Sequence, residues 1–233
     1  MSIFATGQFN ARSAVIGLFS TALVLSLVSS MSLQYGHADT PVAATAEEIQ
    51  PLVVGDVAPR FTVATVNHEP FVFEPRKLER PAVLVSFRGG WCPFCNMHLS
   101  ELRHVIGDID ALGVDVLFLS GDRSELLYRS LKEETQQDIA DLDYQILSDA
   151  DAQAAIAFGI AFKVTQEAID RRGERGDDIM DSSMAIHGVL PVPSVFAVNK
   201  DGIIAFAYSN ADYKVRLPAD ELLTVAKGMA AAQ

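Results

Sequence analysis

The sequence predicts an α/β protein with a central mixed β-sheet and helices on both faces. Between residues 82 and 158, apolar runs alternate with stretches of helical periodicity, which is typical of strands joined by helices. Two β-rich runs at 195–198 and 203–207 then flank the turn residues 199–202, and this pattern predicts a hairpin. A final helix is predicted over 218–230, so the sheet should combine parallel and antiparallel strands.

Two short strands open the predicted domain. Apolar and polar residues alternate over 61–66 and 71–73, and the residues 67–70 between them are typical of a turn. The next strand, Ala82–Phe87, is a continuous apolar and β-branched run. Such a run indicates a central strand that is buried on both faces.

A helix is predicted directly after that strand, over 96–109. Pro93 fits its first turn, where the missing N–H of proline costs nothing. Apolar residues then recur at spacings of four, three, four and three, which places them on one helix face: Cys95, Leu99, Leu102, Ile106 and Ile109.

The middle of the chain continues the alternation. Strands are predicted at 114–119 and 144–147, with a helix that opens at 124–131 between them. Asp149 or Asp151 can cap the Ala-rich helix that ends at Gly159. A charged, glycine-containing stretch near 170–182 breaks the pattern, and we interpret it as an exposed insertion.

The N-terminal part of the chain predicts export. Residues 1–38 combine an apolar stretch at 14–33 with a small-x-small site, the layout of a secretory signal peptide. An uncleaved membrane anchor formed by 14–33 is the alternative. Residues 39–51 are interpreted as a linker, and 52–233 as one redox domain in a periplasmic or secreted setting.

The net charge narrows the possible partners. The chain carries a formal charge of −12, which argues against nucleic acid and against anionic lipid. We therefore expect no nucleic-acid partner and no stable membrane association after cleavage of the signal peptide. The charge itself is adequately explained by solubility.

The stretch 91–95 holds both cysteines and the only tryptophan of the chain. Cys92 lies at the predicted helix start, where N–H donors and the helix dipole favour thiolate, so it should be the nucleophile. Cys95 lies one turn further on, on the buried face, and should be less accessible. A structural staple is the weaker alternative, because a loop closed over so few residues constrains the unfolded chain little.

Three further side chains are candidates for the site. Trp91 could shield the thiolate or dock a substrate, or it could be ordinary packing at a strand end. Arg88 lies four residues before Cys92 and could stabilise the thiolate or orient a substrate. Arg216 is the second candidate cation, and a solvated surface arginine is the alternative for both.

No cofactor or metal is predicted. His98 and His104 follow the cysteines on the same helix, but the spacing is not a usual zinc pattern and no second ligand cluster exists. Asn96 follows Cys95 where c-type haem attachment requires histidine. We interpret His98 as a partly exposed polar residue.

Three stretches of the chain, 55–61, 87–95 and 193–202, resemble the peroxiredoxin-like branch of the thioredoxin superfamily. This is the broad alkyl hydroperoxide reductase/thiol-specific antioxidant group. The order and spacing of the stretches match from about residue 53 to 223.

The resemblance implies a thioredoxin-like fold and a role for each cysteine. Cys92 would be the attacking thiol and Cys95 its partner, with a Cys92–Cys95 disulfide formed in turnover. It also implies that Pro193 faces the cysteines, with the cis peptide bond that is typical at this position.

The chain departs from typical peroxiredoxins at several positions. They place Thr or Ser three residues before the attacking cysteine and Pro seven before it, where this chain has Gly89 and Val85. They also carry an Arg near the position of Pro193, and residues 190–192 here are Leu, Pro and Val. The active-site stretch is therefore closer to a thioredoxin-type dithiol.

Two enzymatic hypotheses follow, and one that is not enzymatic. The first is a thiol-dependent peroxidase that reduces hydroperoxides through Cys92, is resolved by Cys95 and is recycled by a thioredoxin-like dithiol protein. The second is an exported reductase that attacks protein disulfides with the same two thiols. The third is a binding module whose disulfide is structural.

Overall fold

The structure is a computed structural model that describes residues 41–139 and 145–232. The expected signal peptide and the alternative membrane anchor lie outside the described residues. Within the described ranges, no helix is both long and apolar enough to span a bilayer. The described residues all belong to one compact unit.

A seven-stranded mixed sheet and a separate two-stranded sheet form the framework. The order in the large sheet is β2-β1-β5-β4-β3-β8-β9, and β6 pairs with β7. The strands are β1 Phe61–Ala64, β2 Pro70–Phe73, β3 Ala82–Phe87, β4 Asp115–Ser120, β5 Gln145–Ser148, β6 Ala161–Lys163, β7 Val189–Pro191, β8 Ser194–Val198 and β9 Ile204–Ser209.

Strand β3 lies at the centre, as its continuous apolar run predicts. It runs parallel to β4 and antiparallel to β8, which confirms the mixed sheet. All six of its residues are buried. Because successive side chains point to opposite faces, Val83, Val85 and Phe87 belong to one core and Ala82 and Leu84 to the other.

Six helices in the described residues cover the two faces. They are α1 Pro93–Ala111, α2 Glu133–Ile139, α3 Gln153–Ala157, α4 Gln166–Glu174, α5 Ser183–His187 and α6 Ala219–Ala231. Helices α1 and α6 pack against each other over the first core. Helix α3 packs on β1 at the second core, so helices lie on both faces and the expected fold class is confirmed.

The predicted helix at 124–131 is wrong. Only a short 3₁₀ turn, Ser124–Leu126, forms there, and the helix proper begins at Glu133. The N–H of Lys132 donates to the side-chain oxygen of Asn96 at 2.8 Å. This bond ties the segment to the start of α1 and separates the turn from α2.

Residues of the predicted linker 39–51 and of the predicted insertion 170–182 both contact the domain. Ala43, in the predicted linker, exchanges backbone bonds of 3.1 and 2.9 Å with the carbonyl of Ala161 and the N–H of Lys163. In the charged stretch 170–182 most charged side chains are exposed. Ile179, however, is buried in a small apolar cluster with Met184.

Candidate active site

The two cysteines lie where β3 passes into α1. Cys92 is the N-cap of α1, and its carbonyl accepts the N–H groups of Cys95 at 3.0 Å and Asn96 at 3.2 Å. Both cysteines are free thiols and both are only 1 % exposed. Accessibility therefore does not distinguish them, contrary to the expectation that Cys95 would be less accessible than Cys92.

The pKa values of the two thiols do distinguish them. A hydrogen bond from the Cys95 side chain, and then the positive charges of Arg88 and Arg216, lower the pKa of Cys92 to about 6 against the opposing effect of burial. Burial, followed by the neighbouring Cys92, raises the pKa of Cys95 well above its ordinary value. At neutral pH, Cys92 is thus the thiolate and Cys95 the proton donor beside it.

Two arginines converge on the thiols. The Arg88 guanidinium lies 5.1 Å from the ring centre of Trp91 and 4.6 Å from that of Tyr213. Nη2 of Arg216 lies 3.5 Å from Sγ of Cys95. Nε of Arg88 and both Nε and Nη1 of Arg216 are buried without a hydrogen-bond acceptor among the described residues. These N–H groups are free to bind an oxygen of a small substrate.

His98 holds the Arg216 segment in place. Its Nε2 lies 3.0 Å from the carbonyl oxygen of Leu217, the residue after Arg216. Burial lowers the pKa of His98 to about 4, so the ring is neutral at pH 7 and donates through Nε2. The expectation of a partly exposed His98 is wrong, because the side chain is 5 % exposed and its polar atom is used internally.

Gly89 explains why this chain departs from the usual Thr or Ser. Its φ is +144°, a region that L side chains rarely adopt. A Cβ at this position would lie 2.5 Å from both Oδ1 of Asp122 and Nε1 of Trp91. A hydroxyl-bearing side chain has no room here, so polar contacts to a substrate must come from other groups, among them Arg88 and Arg216.

Asp122 supports the loop before the cysteines. Its Oδ2 accepts the N–H of Gly90 at 2.7 Å and the hydroxyl of Ser130 at 2.9 Å. The carboxyl is 0 % exposed, and burial raises its pKa to about 6. The place of Asp122 after β4, next to the end of β3, was the available signal for its role.

Asn96 supports the same loop from the helix side. Its Nδ2 donates to the carbonyls of Gly90 at 2.6 Å and Cys92 at 3.1 Å. Together with the bond from Lys132 to its oxygen, these contacts satisfy a buried amide. Asn96 and Asp122 therefore hold the backbone on either side of Cys92.

Trp91 lies in the loop between β3 and α1, the catalytic loop, and it contacts the charged segment 170–182. The half-buried indole packs against both the core that contains the cysteines and the apolar cluster around Ile179. Arg172 lies over the ring at 4.4 Å, and Arg88 at 5.1 Å. Its Nε1 is buried without an acceptor among the described residues.

Pro193 lies between β7 and β8, buried and adjacent to the strand that pairs with β3. No cis peptide bond occurs among the described residues, so the expected cis bond before Pro193 is wrong. At this junction the carbonyl of Val192 accepts the hydroxyl of Ser194 at 2.9 Å. The N–H of Val192 donates to the carbonyl of Ile160, also at 2.9 Å.

Metal ligands do not converge in the described part of the chain. No group of three His, Cys, Asp or Glu side chains there is placed to hold an ion. His98 is engaged with Leu217, and His104 is exposed on α1.

Comparison with known proteins decides the family. Residues 54–207 match the model of the AhpC/TSA family. The chain belongs to the AhpC/TSA family. It is 32 % identical over 113 residues to peroxiredoxin Bcp of Escherichia coli K12. The aligned residues cover 48 % of this chain and 67 % of that protein.

Solved structures support the fold. A peroxiredoxin-like protein from Aquifex aeolicus superposes with a TM-score of 0.59 at 17 % identity, over 77 % of this chain and 89 % of its own. Peroxidoxin BcpB from Mycobacterium tuberculosis gives a TM-score of 0.54 at 16 % identity, over 78 % of this chain and 97 % of its own. The resemblance seen in the sequence is confirmed: this is a peroxiredoxin-like protein with a thioredoxin-like fold, and an oxidoreductase of the thiol peroxidase class.

Proposed function

We propose that this protein reduces hydroperoxides with Cys92 as the attacking thiolate, Cys95 as the resolving thiol and an external dithiol protein as the reductant. One observation carries the proposal. Cys92 has a lowered pKa and lies near Arg88 and Arg216, both of which keep buried N–H groups that find no acceptor in the described part of the chain. A thiolate next to such donors can hold a peroxide and accept its outer oxygen.

In the first step the Cys92 thiolate attacks one oxygen of the O–O bond. That bond breaks, the sulfur is oxidised to sulfenic acid, and the leaving oxygen takes a proton to depart as water or an alcohol. Positive charge from Arg88 and Arg216 favours the thiolate beforehand. The same charge stabilises the negative charge that develops on the leaving oxygen.

In the second step the Cys95 thiol condenses with the sulfenic acid. An S–S bond forms between the two residues and one water leaves. Cys95 is three residues from Cys92 and donates a hydrogen bond to it, which supports its assignment as the resolving thiol. Arg216, 3.5 Å from its sulfur, favours the thiolate needed for this attack.

In the third step a thioredoxin-like dithiol protein reduces the Cys92–Cys95 disulfide and becomes a disulfide itself. The apolar segment at 14–33 supports export, so this reductant would act outside the cytoplasm. Trp91, next to Cys92 in the chain, and Arg88, 5.1 Å from the centre of the Trp91 ring, are the proposed substrate contacts.

A disulfide reductase is the second candidate, and Gly89 is the observation that favours it. The position that carries a hydroxyl in typical peroxiredoxins cannot accept one here. The same two cysteines could attack a protein disulfide instead, with a mixed disulfide as the intermediate.

One experiment separates the two candidates. The purified protein is given hydrogen peroxide with a dithiol reductant and, separately, an insulin-like disulfide substrate. We expect peroxide consumption that disappears in Cys92→Ser. Disulfide reduction without peroxide consumption would refute the peroxidase.

A further inference from the structure

A cavity opens beside Arg88 and Arg172. Its volume is about 360 Å³, the size of a small organic ligand site. Its apolar wall includes Phe162, Met184 and Leu190. Its positive charge comes from five side chains: Arg88, Lys163, Arg171, Arg172 and Arg175.

This concentration of cations is unusual for the chain. The whole protein carries 30 acidic and 18 basic side chains, yet no acidic residue lines this cavity. Asp177 forms an ion pair with Arg172 at 3.0 Å. Glu167 lies 3.7 Å from Arg171, and the side chains of Glu167 and Arg171 are both exposed. Two carboxylates thus face five cations, and the cavity keeps a net positive charge that attracts anions.

Arg88 is the residue that the cavity shares with the catalytic site. This arginine lines the cavity, and its charge helps to lower the pKa of Cys92. Trp91 lies against Arg88 on the catalytic side and against Arg172 on the cavity side. An elongated molecule with its acid group near α4 can therefore direct its other end toward Cys92.

We propose that this cavity binds the acid group of an organic hydroperoxide that carries a carboxylate at the end remote from the O–O bond. The carboxylate contacts Arg171 and Arg175, the apolar body lies on Phe162, and the peroxide reaches Cys92. This inference rests on the proposed peroxidase function. The balance of the reaction is unchanged: the O–O bond breaks, Cys92 is oxidised, and the product is an alcohol that keeps its acid group.

Binding is measured first, without turnover. The protein has a single tryptophan, Trp91, whose ring lies against the lining residues Arg88 and Arg172, so its fluorescence reports occupancy. The probe is 4-isopropylbenzoate, with 4-isopropylbenzamide as its neutral counterpart. We expect saturable binding of the acid, and binding about tenfold weaker in Arg171→Glu/Arg175→Glu, the loss expected of one charge-assisted contact.

The matched control is Lys77→Glu/Lys227→Glu, which changes the net charge equally at two exposed side chains away from the cavity. It should bind the acid as the wild type does. Both double variants change exposed residues, and urea unfolding verifies that they fold. No binding of the acid, or equal weakening in both double variants, would overturn the proposed site.

Turnover is measured second, with cumene hydroperoxide and its para-carboxylate. We expect the carboxylate to have the higher kcat/KM, by about tenfold. In the Arg171→Glu/Arg175→Glu variant, the ratio of the kcat/KM values for the two hydroperoxides should approach one. Equal ratios in the wild type and this variant would refute the substrate assignment. If the acid probe binds but neither hydroperoxide is consumed, the peroxidase proposal fails while the acid-binding cavity is supported.

Discussion

Replacing Gly89 by alanine tests the packing of the catalytic loop. The added Cβ must occupy backbone with φ +144°, which costs about 1–3 kcal/mol. It must also displace Asp122 Oδ1 and Trp91 Nε1, each 2.5 Å away, at an overpacking cost of about 1–3 kcal/mol. We therefore expect the Gly89→Ala variant to lose about 2–6 kcal/mol of unfolding free energy.

Urea unfolding monitored by circular dichroism measures this loss. The control is Gly107→Ala on α1, where a Cβ has nothing within 4 Å. Because glycine is unfavourable within a helix, that variant should gain about 0.5–1 kcal/mol. If Gly89→Ala unfolds within about 0.5 kcal/mol of the wild type, the loop is not packed as described.

Three further predictions concern the groups around the thiols. Asp122→Ala leaves the buried N–H of Gly90 and the half-buried hydroxyl of Ser130 unpaired and should cost about 2–4 kcal/mol of unfolding free energy in urea. The exposed Asp108→Ala should cost under about 0.5 kcal/mol. Burial lowers the pKa of His98 to about 4 in the folded protein. As the pH drops from 6.5 toward 4, the unfolded chain takes up a proton that the folded protein does not, so wild-type stability falls. His98→Gln should remove that loss, on the order of 3 kcal/mol at pH 4, and parallel stability–pH curves for the two proteins would contradict the assignment. Arg88→Gln should raise the pKa of Cys92 above about 6. The rate of iodoacetamide alkylation at pH 5 should then fall roughly tenfold, and an unchanged pH profile would show that Arg88 does not act on the thiolate.

The sequence predicts the sheet and the position of the cysteines because both depend on local patterns. The continuous apolar run Ala82–Phe87 predicts a strand buried on both faces, and the structure has it at the sheet centre. Cys95 recurs with Leu99 and Ile106 at helical spacing, and all three are buried on α1. These elements are determined by side-chain periodicity, which a single sequence contains.

The supports of the site are not local, and the sequence does not predict them. Asp122 is 32 residues from Gly90, and His98 is 119 residues from Leu217, so their bonds exist only once the strands and helices are assembled. The short strands β6 and β7 lacked a pattern long enough to recognise. The charged stretch 170–182 is polar in composition, yet Arg172 reaches the ring of Trp91.

The central claim is that Cys92 attacks a hydroperoxide and Cys95 resolves the product. The most direct test is intact-mass spectrometry after one equivalent of hydrogen peroxide is added to the reduced protein and to the two Cys→Ser variants. We predict loss of two hydrogens in the wild type as the disulfide forms, gain of one oxygen in Cys95→Ser, and no change in Cys92→Ser. Oxygen addition in Cys92→Ser at the rate seen in Cys95→Ser would contradict the order of attack.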